Sequence, residues 1–406
     1  MLLKAAGAAL SFLVTLTIAR WGGAAVSGEY ALAVQTVLTA SAIALFGNDR
    51  LLTRRVAGDL REGRSDLARA ALWHSVKVVG VASIVVGALV LIAAPFAVAF
   101  DASPAIIALC SIGVLAYPIL NLAVAALRGM ERVVVSQLFY GPVQAFLLLG
   151  LILLLGSSVL GISAVSATFS YVLSLGITAI WVCILVFRAQ RGWPKLLGAK
   201  PDYRATGGMT IGFTLVIDML TAWLSLALIG SALGVTEIGA FRVCMQIITI
   251  ITMIFTTFDS IVSPQFAGDF RVQDVATAKR RYFRSIGILA AFTGVPIILA
   301  VAFPYNILLI FGPEFIVGVH ALQILALGQL VNVVTGPVGS ILIMGNRERI
   351  NLRLAIAGLA ITILLITILV PVWGLAGAAW AVTIALTLRK LTAFLVVWRM
   401  LNARPA

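Results

Sequence analysis

The distribution of basic residues between apolar segments constrains this chain more than any other feature of its sequence. About twelve apolar segments, each near the ~20 residues that a membrane-spanning helix needs, follow one another along the chain. The connections after even-numbered segments hold nearly all the Arg and Lys residues, whereas only Arg20 appears on the other side. Short loops rich in Lys and Arg stay in the cytoplasm. The alternation therefore predicts an all-α, multi-pass membrane protein with both termini in the cytoplasm. The basic connections contain, in chain order, Arg50 to Arg69, Arg128 and Arg132, Arg188 to Arg204, Arg271 to Arg284, and Arg347 to Arg353.

The composition agrees with a membrane location. Of the 406 residues, 62% are hydrophobic and 11% are charged, a balance that cannot keep apolar surface away from water in a soluble globule. The net charge of +14 would suggest nucleic-acid binding in a soluble protein. Here the basic residues lie in loops beside anionic lipid, so we expect the bilayer and no nucleic acid as partner.

The N-terminal segment could be confused with a signal peptide. Lys4 is followed by an apolar run that ends at Ile18, which is the charge pattern of a secretory signal. No small-residue cleavage site follows, and Arg20 and Trp21 suit a membrane interface. We interpret Leu2–Ile18 as the first membrane span, retained in the protein.

The two halves of the chain resemble each other. The polar loop sequence Ala57–Arg61 (AGDLR) recurs as Ala267–Arg271 (AGDFR), and Gly28 with Gln35 matches Gly239 with Gln246. Coincidence in a sequence rich in Ala, Leu and Gly is the alternative. Because each half would hold six spans, both halves enter the membrane from the same side. We therefore predict two parallel six-helix repeats, residues 1–200 and 201–406, around a central cleft.

Five segments carry a resemblance to a known family. They are Ile18–Gly23, Gly28–Ala33, Leu309–Phe315, Gly345–Arg347 and Val370–Ala379. Their order and spacing resemble those of Wzx-type polysaccharide and O-antigen flippases, which belong to the multidrug/oligosaccharidyl-lipid/polysaccharide exporter superfamily. The resemblance covers essentially the whole chain.

The resemblance implies a function. Such a protein flips polyprenyl-diphosphate-linked oligosaccharide repeat units across the bacterial cytoplasmic (inner) membrane by alternating access, for cell-surface polysaccharide synthesis. It implies coupling to H⁺ or Na⁺ without another cofactor, and polysaccharide polymerase and chain-length proteins as partners. The anionic head group cannot cross hydrocarbon bare, since desolvating a charge costs many kcal/mol. Polar residues within the spans should therefore line the cleft.

Four arginines are candidates for the diphosphate. The planar guanidinium suits phosphate because it binds two oxygens at once. Arg20 and Arg242 would form an outer station, and Arg50 and Arg54 an inner one. Alternatives stay open: Arg20 could anchor at the interface beside Trp21, Arg242 could extend to the interface, and topology alone accounts for basic residues at the inner side.

Asp218 is the candidate ion-coupling residue because it lies near the middle of the seventh predicted span, Thr210–Ile229. Desolvation would bring such a carboxyl toward a protonatable range. The alternative is a buried, neutral carboxyl that caps a neighbouring helix.

Amides at membrane depth are candidates for sugar contacts. Some of them could instead satisfy neighbouring helices. Trp223, Tyr140 and Tyr171 could stack on sugar rings, although helix packing explains them equally. The amide candidates are Gln35, Asn121, Gln144, Gln246 and Asn332.

Catalytic signatures are absent from the sequence. It has no phosphate-binding loop of the ATPase type, His74 and His320 are far apart, and no serine has a nucleophile-elbow context. We therefore expect no catalytic residues, no metal site and no enzyme activity. Two other functions stay open. An exporter of cationic or lipophilic drugs would favour acidic and aromatic residues in the cleft. A membrane polysaccharide polymerase or ligase would need a large outer loop, and every predicted outer loop is short.

Overall fold

A computed structural model of the chain describes residues 2–93, 103–156, 162–194, 208–271, 275–344 and 347–402. These residues are almost entirely helical and include no strand. The chain packs as two units, Met1–Met219 and Leu220–Ala406. The predicted boundary between residues 200 and 201 lies outside the described residues.

The first unit contains the following helices. They are α1 Leu2–Leu45, α2 Asn48–Arg61, α3 Ser65–Ile92, α4 Pro104–Gly129, α5 Val133–Leu138, the π-helix Phe139–Val143, α6 Gln144–Gly156, α7 Ala164–Ala189 and the first part of α8 Gly208–Leu233. Helix α4 packs on α1, α2, α3 and α7. Small residues allow the close approach, since Gly113 faces Val37 and Gly129 faces Val56, as is usual where helices meet in membranes.

The second unit contains the end of α8 and the remaining helices. They are α9 Val235–Arg271, α10 Val275–Ala302, α11 Pro304–Leu309, the 3₁₀-helix Pro313–Gly318, α12 Val319–Thr335, α13 Val338–Met344 and α14 Glu348–Asn402. Helices α10, α12 and α14 pack against one another, and α9 packs on α10, α12 and α13.

The described residues contain 10 segments that are long and apolar enough to cross a membrane. Two of them, Leu3–Leu45 with 43 residues and Glu348–Met400 with 53 residues, are more than twice the length that one crossing requires. Each is divided by a glycine with non-helical backbone angles, Gly23 and Gly374. Counting both as double crossings gives the predicted twelve spans, so the predicted fold class is confirmed.

The repeat is visible in the backbone. Gly23 has φ 76° and Gly234 has φ 113°, and the two positions are 211 residues apart (234 − 23). Each divides the first two spans of its half. Gln35 and Gln246, separated by the same interval, are both 8% exposed.

The tenth predicted span, Val319–Met344, is a broken helix. Helix α12 ends at Thr335, Gly336 has φ 62°, and α13 begins after Pro337. Proline lacks the N–H that would continue the helix, and an unsatisfied carbonyl is costly in hydrocarbon. The buried Tyr282 hydroxyl donates a hydrogen bond to the Thr335 carbonyl at 2.6 Å, which stabilises the break.

The kink at Gly374 brings Gly377 so close to the Leu369 carbonyl that a side chain at position 377 has no room. A Cβ atom at Gly377 would overlap the Leu369 carbonyl oxygen, whereas one at Gly287 would meet nothing within 4 Å. We expect Gly377→Ala to lower the free energy of unfolding by about 2 kcal/mol or more through overpacking. Gly287→Ala should be neutral or slightly stabilising. Thermal unfolding of the two purified variants checks this; equal stability would contradict the close packing of the kink.

Candidate functional site

The second unit holds an ionisable cluster within the membrane spans. The Ser340 hydroxyl donates a hydrogen bond to Asp259 Oδ2 at 2.5 Å. Lys390 Nζ lies 5.1 Å from the centroid of the Phe255 ring, a cation–π contact. Phe255 and Asp259 are one helical turn apart on α9, and the Asp259 carboxylate attracts the Lys390 ammonium electrostatically.

The cluster contains two basic side chains and one carboxylate. Arg389 lies beside Lys390 and repels it. A charge at membrane depth is costly unless it is paired or faces water. Two adjacent basic side chains within a membrane span make this cluster a candidate site for an anionic ligand.

A polar track leads away from the cluster along α9 and α12. The Asn332 amide donates to Gln329 Oε1 at 2.8 Å. The Thr252 hydroxyl donates to the Ile248 carbonyl at 3.0 Å and lies 3.4 Å from the same Gln329 oxygen. Thr252 lies seven residues before Asp259, and this spacing places both on one face of α9. The second unit therefore presents amide, hydroxyl and charged groups along one side of α9.

The first unit holds a different cluster, made of aromatic, amide and cationic groups. The hydroxyls of Tyr117 and Tyr140 lie 3.3 Å apart, and Arg128 Cζ lies 5.4 Å from the centroid of the Tyr140 ring. Asn121 donates to the Tyr117 carbonyl at 3.0 Å. Tyr140 belongs to the π-helix Phe139–Val143, a local widening that often marks functional sites.

Four of the five predicted sugar-contacting amides bond to protein groups: Asn121 bonds to the Tyr117 carbonyl, and three others bond as follows. Gln35 Nε2 lies 3.4 Å from both the Met219 carbonyl and the Thr39 hydroxyl. Gln144 donates to Ser174 at 3.4 Å, and Asn332 belongs to the polar track. These bonds agree with the alternative interpretation, in which the amides form hydrogen bonds with neighbouring helices. Gln246 is buried on α9. Asn121 lies in the aromatic cluster of the first unit, and its role in sugar binding stays a prediction.

The predicted charged residues lie at several places. Arg20 is exposed three residues before the kink at Gly23, and Arg50 and Arg54 are exposed one turn apart on α2. Asp218 on α8 and Arg242 on α9 are half-buried. The predicted outer pair of Arg20 and Arg242 joins residues of different units and stays a prediction, as do the phosphate and ion-coupling roles.

Sequence reasoning missed two features of the site. Arg389 and Lys390 lie inside the predicted span Leu375–Val397, and two adjacent basic residues in an apolar span were a signal that could have been used. Asp259 directly follows the predicted span Gly239–Phe258 at its inner end, and α9 continues through it to Arg271. Its contacts with Ser340 and Lys390 depend on which helices meet and could not be inferred from the sequence.

No metal centre is apparent in the described part of the chain, which has no group of three or more His, Cys, Asp or Glu side chains that could hold a metal ion. The three cysteines are free; Cys110 and Cys244 are buried, and Cys183 is partly buried. Cys110 and Cys244 contact the carbonyls of Ala33 and Gly318 at 3.5 Å, as small packing residues do.

Comparison with solved structures identifies the fold. The chain is similar to a multidrug resistance MATE family transporter of the MOP superfamily in an inward-facing conformation, with a TM-score of 0.72 and 14% identity over 96% of this chain and 94% of that chain. It is similar to the MATE multidrug transporter DinF-BH, solved as a complex, with a TM-score of 0.69 and 19% identity over 98% and 93% of the two chains.

A third solved relative is a MOP superfamily transporter from Pyrococcus furiosus, described as having a binding pocket of reverse polarity that suggests a different function. It matches with a TM-score of 0.69 and 17% identity over 99% of this chain and 94% of that chain. No family model matches the sequence, and no curated protein matches it. The chain thus has the fold of MOP superfamily transporters, a fold that serves pockets of different polarity.

The interaction between Asp259 and Lys390 can be measured directly. Asp259→Asn keeps an oxygen that accepts the Ser340 bond but removes the charge that attracts Lys390. We expect this variant to be destabilised, and we expect Lys390→Met to recover part of the loss, with a coupling of about 1–3 kcal/mol. Thermal unfolding of the wild type, both single variants and the double variant gives this value.

The matched control pairs Asp259→Asn with Lys279→Met. Lys279 lies over the Trp398 ring at 5.3 Å and bonds to Asn402, away from Asp259, so those two effects should add. Additive effects for Asp259 and Lys390 as well would show that the two charges do not interact.

Proposed function

We propose that this chain is a membrane transporter that moves polyprenyl-diphosphate-linked oligosaccharides across the cytoplasmic membrane. The observation that carries the proposal is the adjacent basic pair Arg389 and Lys390 within a membrane span, with Asp259 as the carboxylate that attracts Lys390. A diphosphate supplies the negative charge that this site favours. A lipophilic cation would add a further positive charge next to two existing ones, which costs free energy at low dielectric.

The predicted residues take complementary roles in this proposal. Arg50 and Arg54, exposed on α2, would meet the diphosphate at the cytoplasmic side, and Arg20 and Arg242 would receive it at the outer side. Lys390 adds a station inside the membrane. The prenyl tail remains in the lipid, so only the head group needs a polar path.

Ion coupling would make the transport directional. Asp218 is the proposed coupling residue, and protonation or Na⁺ binding at a carboxyl in a span changes the charge of the transport path. Alternating access between an inward-open and an outward-open state would then depend on whether the ion, the diphosphate or both are bound.

A second function is favoured by the solved relatives. Several of them are described as multidrug transporters. Asp218 and Asp259 are acids within membrane spans and could attract a cationic drug. A multidrug or cation antiporter is therefore the second candidate, and it predicts that acids rather than bases control substrate binding.

The test is transport in proteoliposomes with a fluorescent polyprenyl-diphosphate sugar. We expect wild-type protein to flip this lipid and Lys390→Gln to lower the rate by about tenfold or more, because a charge-assisted hydrogen bond contributes about 1.5–3 kcal/mol. Arg353→Gln, on the predicted inner loop, serves as the matched control and should retain the rate. Flipping by Lys390→Gln at the wild-type rate would contradict the assigned role.

A second transport experiment tests the predicted phosphate-binding and ion-coupling residues. We expect Arg242→Ala to cripple flipping, since it removes a phosphate ligand, and Asp218→Asn to make flipping independent of the ion gradient. Initial rates with and without an imposed H⁺ or Na⁺ gradient measure both effects. If wild-type protein moves no lipid-linked sugar but expels cationic dyes, the drug-exporter function is correct and the argument from basic residues fails.

A further inference from the structure

The aromatic cluster of the first unit has the chemistry of a ligand site. Tyr140 is 40% exposed although its hydroxyl pairs with Tyr117 and its ring lies against Arg128. Arg128 Nε is buried and makes no hydrogen bond with the described residues. Buried N–H groups are nearly always paired, so this donor favours an external acceptor.

The backbone holds Tyr140 in place. The π-helix contains Pro142, and a Cβ on Gly7 would come within 3.2 Å of the Gly141 backbone. This close contact fixes the widened turn against α1. Tyr140 is therefore presented by a constrained segment, which reduces the entropy lost when a ligand binds.

Apart from Arg128, the groups near the ring are neutral and suited to hydroxyls. Tyr117 and Asn121 are four residues apart on α4 and so lie on one face. Arg128 lies seven residues after Asn121, which corresponds to about 10 Å along the helix. The site thus combines the aromatic face of Tyr140 on the π-helix with the Arg128 guanidinium, the Tyr117 phenol and the Asn121 amide on α4.

We propose that this cluster binds a sugar ring of the transported lipid, with its apolar C–H face on Tyr140 and its hydroxyls near Arg128, Tyr117 and Asn121. The inference rests on the proposed function and adds a site for the glycan to it. A bare diphosphate would use Arg128 alone, since the other groups are neutral. A prenyl chain would leave Arg128 Nε without a hydrogen-bond partner, which is costly. A pyranose uses all four groups.

The test measures binding to the purified, full-length protein. The probes are farnesyl diphosphate and farnesyl diphosphates that carry glucose, galactose or N-acetylglucosamine. We expect the wild type to bind at least one glycosylated probe about tenfold more tightly than the bare diphosphate, the range of aromatic and hydrogen-bond contributions. Tyr140→Leu should abolish this difference and leave the affinity for farnesyl diphosphate unchanged.

Two further variants show whether any loss of binding comes from the missing ring or from a misfolded protein. Tyr140→Phe retains the ring and its packing, so it should keep most of the preference for the glycosylated probe. Phe146→Leu removes an aromatic ring that is 66% exposed on α6, in the same predicted span, and should have no effect. Loss of the preference in Phe146→Leu as well would overturn the assignment to Tyr140.

The remaining outcomes separate this inference from the proposed function. Equal binding of all four probes by wild-type protein would overturn the sugar site but leave the diphosphate transporter intact. Binding of none of the probes would overturn both. A free methyl glycoside that binds with the same affinity as the glycosylated probe would show a soluble sugar site unrelated to the lipid, which also overturns the proposal.

Discussion

The free-energy cost of leaving a polar group unpaired in hydrocarbon is the constraint on which this structure depends. Helices satisfy the backbone within each span, and the exceptions are confined to a few places. Gly23 and Gly374 divide the long segments, and Gly336 with Pro337 breaks span ten. At the break, Tyr282 supplies the hydrogen bond that the helix gives up.

The same constraint applies to side chains and gives the two units different chemistry. In the second unit the break at Gly336 is followed by Ser340, which bonds to Asp259, while Lys390 lies on Phe255. In the first unit a widened turn at Phe139–Val143 brings Tyr140 against Tyr117 and Arg128. One cluster is charged and is proposed to bind an anion, whereas the other is neutral apart from Arg128 and is proposed to bind hydroxyl groups. A lipid-linked sugar diphosphate has both chemistries in one head group.

The fold could be predicted from the sequence, because hydropathy and loop charge act over whole segments. The twelve spans follow from such averages. The repeat follows from matching segments such as Ala57–Arg61 and Ala267–Arg271, and the equivalent glycines Gly23 and Gly234 agree with it.

The site was harder to predict, because it depends on which helices meet. Tyr140 and Asn121 were singled out separately, yet their connection through Tyr117 requires α4 and the π-helix to pack together. Gln35 and Gln144 bond to protein neighbours, and their contact with a sugar stays a prediction. Arg389 and Lys390 were visible as charges in an apolar span and were overlooked, since loop charges alone were used to orient the chain.

The central claim is that the transport path favours an anion, and ligand-induced stabilisation tests it most directly. The unfolding temperature of purified protein would be measured with farnesyl diphosphate and with a lipophilic cation, tetraphenylphosphonium, at matched concentrations. A ligand that binds the folded state raises the unfolding temperature. We expect stabilisation by the diphosphate that is lost in Lys390→Gln, and none by the cation. Stabilisation by the cation alone would contradict it.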